Sequence, residues 1–116
     1  MEDSNTANIL SVLDAYMMET AEDIAMKLAN DFRQRRIEKN LTREQIAEKA
    51  KISLSNVARF EQKGLISLSN LIALAMALGY TTEVKNIFQS PKYATMEELT
   101  QIRRNKDKKR AHSKKR

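Results

Sequence analysis

The side chains that most often perform covalent chemistry or bind metal ions are almost absent from this sequence. It has no cysteine, and its one histidine, His112, lies in a highly charged C-terminal run with no plausible second metal ligand nearby. A nucleophile needs an adjacent base, and neither such a pair nor a glycine-rich phosphate loop is found. We therefore expect no enzymatic activity, no bound metal and no cofactor.

Charged residues are distributed very unevenly along the chain. Residues 1–31 carry one lysine and seven acids, whereas residues 32–64 carry nine basic residues and four acids. The acids predominate slightly in residues 65–102, and residues 103–116 contain nine basic residues and one acid. Two basic clusters of this kind favour a polyanionic partner, although a charged run is also typical of an ordinary solvated surface.

The first basic cluster includes the stretch LTREQIAEKAKISLSNVARFEQKG, from Leu41 to Gly64. Its pattern predicts two short amphipathic helices joined by a turn of about three residues. Ile46, Ala47 and Ala50 are expected in the core from the first helix, and Val57 and Phe60 from the second. The outward-facing residues of the second helix are then Leu54, Ser55, Asn56 and Arg59.

Helix signals recur along the rest of the chain, and no sustained alternation of apolar and polar residues indicates a strand. Three pairs have the spacing of a capping box, namely Thr20 with Asp23, Thr42 with Gln45, and Thr95 with Glu98. Ser53 and Ser67 are predicted N-caps, while Gly64, Gly79 and Pro91 mark helix ends. The predicted helices are at about 6–18, 21–38, 43–50, 54–63, 68–78, 82–88 and 96–104.

Composition also limits where the protein acts. The longest apolar run, from Leu71 to Leu78, is too short to cross a membrane, and the acidic N-terminus is unlike a secretory signal. We therefore expect a cytoplasmic protein without a membrane partner. From Asn105 onward the chain has almost no apolar residue to bury, which predicts disorder in residues 105–116.

Residues from about Leu28 to Tyr80 resemble the Cro and phage-repressor type of helix-turn-helix, called the XRE family. RQRRIEKNLTREQIAEKAKIS is similar to the first two helices, SLSNVARFEQKG to the recognition helix, and LSNLIALAMALGY to the fourth. The resemblance implies an all-α, compact five-helix domain at 20–89, with an extra N-terminal helix in residues 1–19. A linker and short helix at 90–104 precede the basic tail. Lys51 departs from the pattern, because the family usually has glycine at that turn position, and it predicts backbone strain or a slightly different turn.

The family also has a partly buried salt bridge at the positions of Arg36 and Glu61. The helical pattern agrees, since Arg36 continues the stripe of Ile24, Leu28 and Phe32. The alternative is two unconnected surface charges.

The resemblance further implies a DNA-binding surface on double-stranded DNA. Arg43 and Ser53 are expected at phosphates, and Leu54, Ser55 and Arg59 at bases. Asn56 is expected on the same DNA-binding surface. Arg43 and Arg59 are both expected to be exposed in the free protein. Lys63, Ser69 and Asn70 follow at positions where the family contacts the backbone again. Leu54 packed under the N-terminal helix and Lys63 as a solvated lysine are the alternatives.

The C-terminal stretch IFQSPKYATMEELTQIRRNKDKKR looks like the extension of HipB-like antitoxins, in which the protein represses its own operon and binds a HipA-type kinase toxin. The alternative is a disordered tail. The sequence thus predicts a homodimeric repressor on a palindromic operator, and the second resemblance adds the expectation of an antitoxin role. Two other hypotheses remain, a protein-interaction module with DNA as a minor ligand, and an RNA-binding basic arm.

Overall fold

The computed structural model describes residues 18–114 together with Ile9, Val12 and Leu13, and side chains are described as far as Lys108. The described residues contain no strand, which agrees with the predicted all-α class. Six helices are defined in this part of the chain: α1 (Ala21–Glu38), α2 (Arg43–Ala50), α3 (Leu54–Lys63), α4 (Leu68–Ala77), α5 (Thr81–Lys85) and α6 (Met96–Lys114). Most of the helix predicted at about 6–18 lies outside the described residues.

Local capping side chains explain where most helices begin. Thr20 and Asp23 form a reciprocal capping box at α1, and Thr42 and Gln45 form one at α2. The box predicted at the start of α6 is only half formed. Thr95 Oγ1 accepts from the Glu98 N–H, but the Glu98 carboxylate accepts from the N–H of Ala94, one residue before Thr95.

The core lies where α1, α2, α3 and α4 meet. Helix α3 packs against both α1 and α2, and α2 also packs against α4. The rings of Phe32 and Phe60 lie 5.5 Å apart between centroids in a tilted arrangement, which links α1 to α3. The buried apolar residues are Ala29, Phe32, Ile46, Ala47, Val57, Phe60, Leu74 and Leu78. The predicted core positions in α2 and α3 are confirmed, with Ala50 partly buried at the edge.

The buried face of α1 includes Phe32 and Arg36 of the predicted stripe but differs from it nearer the start of the helix. Ile24 and Leu28 are each about half exposed, and Ala29 is fully buried instead. Gly64 explains the change, because a Cβ atom added there lies 3.1 Å from the backbone nitrogen of Met26. This close approach of the end of α3 turns the Ala29, Phe32 and Arg36 side of α1 toward the core.

Chain contacts divide the protein between Thr81 and Thr82, and the second unit contains most of α5 and all of α6. Helix α5 ends at Lys85, so that Ile87 and Phe88 follow it, whereas the sequence predicts a helix at 82–88. Helix α6 continues through Lys114 and includes positions 105–114, for which the sequence predicts disorder. Lysine and arginine are good helix formers, and no glycine or proline follows Pro91, so helical propensity explains this extension without burial.

Candidate nucleic-acid interface

A turn of three residues, Lys51 to Ser53, connects α2 to α3. Lys51 adopts the left-handed conformation (φ 59°, ψ 43°), and the next N–H, of Ile52, donates to the Ala47 carbonyl. This is the backbone shape that glycine adopts without a steric penalty. The predicted strain at Lys51 is therefore present, and the chain makes the turn with an exposed lysine.

Helix α3 has one face in the core and the opposite face in solvent. Val57, Phe60 and Glu61 are buried, while Ser55 and Arg59 are on the other side, one helical turn apart. Leu54, at the first helical position, is 43% exposed. The alternative that it packs under the N-terminal helix is not tested, because most of that helix lies outside the described residues. Asn56 is only half-buried and thus less available than predicted. The core contacts hold this helix so that its polar face points away from the domain.

Ser53 caps α3 and contacts a predicted base-reading residue. Its Oγ accepts from the N–H of Asn56 at 3.2 Å and lies 3.1 Å from the Oγ of Ser55. Both serines are exposed. The hydroxyl of Ser53 therefore organises the start of the helix while remaining accessible to solvent.

The residues expected to contact the backbone after α3 lie near the start of α4. Lys63 and Ser69 are exposed, and Asn70 is half-buried, with its N–H donating to the Ser67 hydroxyl at 3.3 Å. Residues 66–70 repeat the pentapeptide ISLSN of residues 52–56, and each copy forms the same N-cap. The repeat is visible in the sequence, and it is a further signal that the two helices begin alike.

Arg36 and Glu61 lie in contact across the core side of α1 and α3. Arg36 Nε donates to Glu61 Oε2 at 2.7 Å, and Arg36 Nη2 donates to Oε1 at 2.9 Å. The remaining nitrogen of Arg36, Nη1, donates to the carbonyl of Leu41 at 2.8 Å. Every guanidinium nitrogen thus has an acceptor, which a buried arginine requires.

Arg43 is not the freely exposed residue that the sequence predicts. Its Nε donates to Glu61 Oε1 at 3.0 Å, and its side chain is 33% exposed. Glu61 therefore binds two arginines from two other helices, and we call Arg36, Arg43 and Glu61 the Glu61 cluster. The contact joins positions 18 residues apart, and no short-range motif in the sequence indicates it.

Opposing effects determine the ionisation of Glu61. Burial alone would raise the pKa of its carboxyl, because it disfavours the charged form. Hydrogen bonds from Arg36 and Arg43, together with their positive charges, outweigh burial and hold the pKa below its ordinary value. Glu61 is therefore ionised at neutral pH, and the Glu61 cluster carries one net positive charge.

Other kinds of site find little support in the part of the chain that the structure describes. No group of three or more histidine, cysteine, aspartate or glutamate side chains there is arranged to hold a metal ion. Within residues 18–114, no helix has both the length and the apolar composition that a membrane span requires.

A comparison with protein families identifies this arrangement. A family model described as helix-turn-helix matches residues 32–85, from the middle of α1 to the end of α5. No curated protein matches the chain. The match covers both helices of the turn motif and the Glu61 cluster. Residues 32–85 therefore form an XRE-family helix-turn-helix domain, a domain type associated with DNA-binding transcription regulation.

Proposed function

We propose that the protein is a sequence-specific transcriptional repressor that reads its operator with α3. The observation that carries this proposal is the two-sided character of α3, whose Val57 and Phe60 face is buried while Ser55 and Arg59 lie together on the opposite side. A rigidly held helix with an exposed polar face fits the major groove of B-DNA. Occupying a promoter in this way blocks transcription.

The outward residues of α3 suit different contacts with base edges. Arg59 can donate two hydrogen bonds to one guanine, and the hydroxyl of Ser55 can donate or accept. The exposed part of Leu54 suits apolar contact with a thymine methyl group. Five further predicted residues are assigned to backbone phosphates, which position the helix without reading sequence: Arg43, Ser53, Lys63, Ser69 and Asn70.

A single recognition helix contacts too few base pairs for useful specificity, so we propose a homodimer on a palindromic operator. The half-sites should then lie about 10 base pairs apart, one turn of the duplex. Apolar side chains near α5 are candidates for the interface, because Ile87 is 62% and Phe88 is 94% exposed in the single chain. A protein that stays monomeric at tens of micromolar, both alone and on DNA, would contradict this part of the proposal.

Selection of bound duplexes from a randomised pool, followed by fluorescence anisotropy on the selected site, tests the proposal. The wild type should bind the selected site far more tightly than a random duplex. Arg59→Ala should lose about 1 to 3 kcal/mol on the selected site and show a weaker preference at one base pair. If Arg59→Ala weakened binding to every duplex equally, α3 would not be the reading helix.

An antitoxin role is the second candidate. It is supported by the resemblance of the C-terminal stretch to HipB-like extensions, and by α6, which follows the Pro91 segment and has Glu97 and Glu98 in its first turn. In this role the protein represses its own operon and binds a HipA-type kinase. Co-expression with a HipA-type kinase from the same organism, followed by co-purification, tests this directly. Failure to bind any such kinase leaves the repressor proposal standing.

The alternative of a protein-interaction module is distinguished by the same titrations. It predicts weak binding to every duplex, with no site preferred over a random sequence. Equal binding to DNA, RNA and other polyanions would instead favour the basic arm as the main binding element. A DNA ligand is consistent with the predicted cytoplasmic localisation, which remains a prediction. The proposed function includes no enzymatic reaction.

A further inference from the structure

The Glu61 cluster contains one more positive charge than it neutralises. Glu61 binds the guanidinium of Arg36 through both carboxylate oxygens, so that pair is neutral as a unit. Arg43 adds a second cation, and the described ion pairs give it no other acidic partner. The excess charge therefore lies on Arg43, at the first residue of α2.

The guanidinium of Arg43 is anchored by one nitrogen only. Its Nε donates to Glu61 Oε1, while Nη1 and Nη2 make no hydrogen bond among the described residues. One third of the side chain is exposed, so part of this group is open to solvent. Arginine presents its donors in a rigid plane, which means that fixing Nε also restricts the directions of the other two nitrogens.

We propose that Glu61 is a positioning residue for DNA binding, which holds Arg43 so that its two free nitrogens are presented to a backbone phosphate. The inference rests on the proposed function, because it assumes that the start of α2 faces DNA. Glu61 itself does not contact DNA, since its side chain has no exposed surface. Ordering a long side chain before binding removes an entropic penalty that corresponds to about 2- to 10-fold in affinity.

Simple electrostatics predicts the opposite effect of removing Glu61. Replacing the carboxylate by a neutral side chain raises the net charge by one, and a more positive protein should bind DNA more tightly. Positioning predicts weaker binding after the same change, because Arg43 is then no longer anchored. The sign of the effect therefore separates the two explanations.

A double-mutant cycle on a random-sequence duplex of about 20 base pairs, two turns of B-DNA, tests the inference at fixed salt. Its variants are Arg43→Ala, Glu61→Leu and the pair, with Lys63→Ala as the matched control because Lys63 is exposed and makes no described ion pair. Arg43→Ala should lower the DNA affinity of the wild type by a factor about 2- to 10-fold larger than the factor by which it lowers the affinity of Glu61→Leu. Lys63→Ala should weaken both backgrounds by the same factor.

Two results would overturn the inference. The first is that Arg43→Ala lowers DNA affinity by the same factor in the wild type and in Glu61→Leu. The second is that Glu61→Leu changes the effect of Lys63→Ala as much as it changes the effect of Arg43→Ala, which indicates a general effect on the fold. Circular dichroism establishes that each variant is folded at the assay temperature. If the wild type binds no duplex at all, the proposed function fails as well, so the two failures are distinguishable.

Arg43→Lys keeps the test decisive if Glu61→Leu does not fold. This variant leaves the contact between Arg36 and Glu61 intact and keeps the charge, but lysine cannot present separate nitrogens to Glu61 and to a phosphate. We expect its salt dependence to fall by about 0.9 in log–log slope, as for Arg43→Ala. An unchanged slope and affinity would mean that charge alone suffices, and would overturn the positioning role.

Discussion

Breaking the Glu61 cluster should destabilise the domain in an order set by the burial of its three side chains. Glu61 has no exposed side-chain surface, Arg36 is 10% exposed and Arg43 is 33% exposed. Removing one partner of a buried ion pair costs about 3 to 5 kcal/mol, because the other charge is left without compensation. The largest effect is expected for Glu61→Leu, at about 4 to 5 kcal/mol, since it leaves two arginines without a carboxylate.

The arginine variants should cost less, and by different amounts. Arg36→Met leaves Glu61 paired with Arg43 but removes three hydrogen bonds, so we expect about 3 kcal/mol. Arg43→Met leaves the bidentate pair intact and removes one partly exposed contact, for which about 1 kcal/mol or less is expected. The combination of Arg36→Met with Glu61→Leu should cost less than Glu61→Leu alone, because the most deeply buried arginine is then no longer left unpaired.

Urea unfolding followed by far-ultraviolet circular dichroism measures these differences. All variants should be compared at one protein concentration, because stability depends on concentration if the protein dimerises. A domain of this size is stabilised by only about 5 to 15 kcal/mol in total, so the predicted differences are a large fraction of the whole. A cost for Arg43→Met as large as that for Arg36→Met would refute the reasoning. So would a cost below about 2 kcal/mol for Glu61→Leu.

Three further predictions concern the turn, the tail and the response to acid. Lys51→Gly should stabilise the domain by about 1 kcal/mol, because glycine adopts the left-handed conformation without strain; a lower thermal midpoint would contradict this. Truncation after Arg104 should reduce the salt dependence of DNA binding by about 0.9 in log–log slope for each phosphate that the tail neutralises in the full chain. It should leave the preference among operators intact, and disappearance of that preference would exclude α3 as the reader. Because the pKa of Glu61 is lowered by folding, its stabilising contribution is present above the ordinary value of 4.5 and is lost as the pH falls through the lower folded value. Unfolding midpoints measured from neutral pH down to about pH 3 should therefore fall more steeply for the wild type than for Glu61→Leu.

Helix boundaries are predictable here because their signals are local. The predicted bounds 21–38, 43–50 and 54–63 are confirmed, and each of these helices begins at a threonine or serine that caps a nearby N–H. Tertiary contacts are harder to predict. A stripe through Ile24 and Leu28 and one through Ala25 and Ala29 have equivalent periodicity. The close approach of Gly64 favours the second, and the sequence does not reveal that approach.

The candidate site shows the same division between local and long-range information. The outward positions of Ser55 and Arg59 follow from the phase of α3, which Val57 and Phe60 establish within the same helix. The contact between Arg43 and Glu61 instead depends on how α2 lies against α3, over a separation of 18 residues. The length of α6 does not follow from burial, because propensity alone accounts for its continuation past Arg104.

The pentapeptide ISLSN starts two helices, α3 and α4, that have different roles in the domain. Both copies place a capping serine and an exposed leucine at a helix start, yet the first continues as VARFEQK and the second as LIALAMA. The capping serine of each copy marks the helix start, and the residues that follow determine whether the helix presents a polar face or lines the core. A protein engineer can therefore leave residues 52–54 unchanged as a fixed cassette and randomise Ser55 and Arg59. Under the proposed function, a library built this way varies the DNA sequence that α3 reads while preserving the start of the helix.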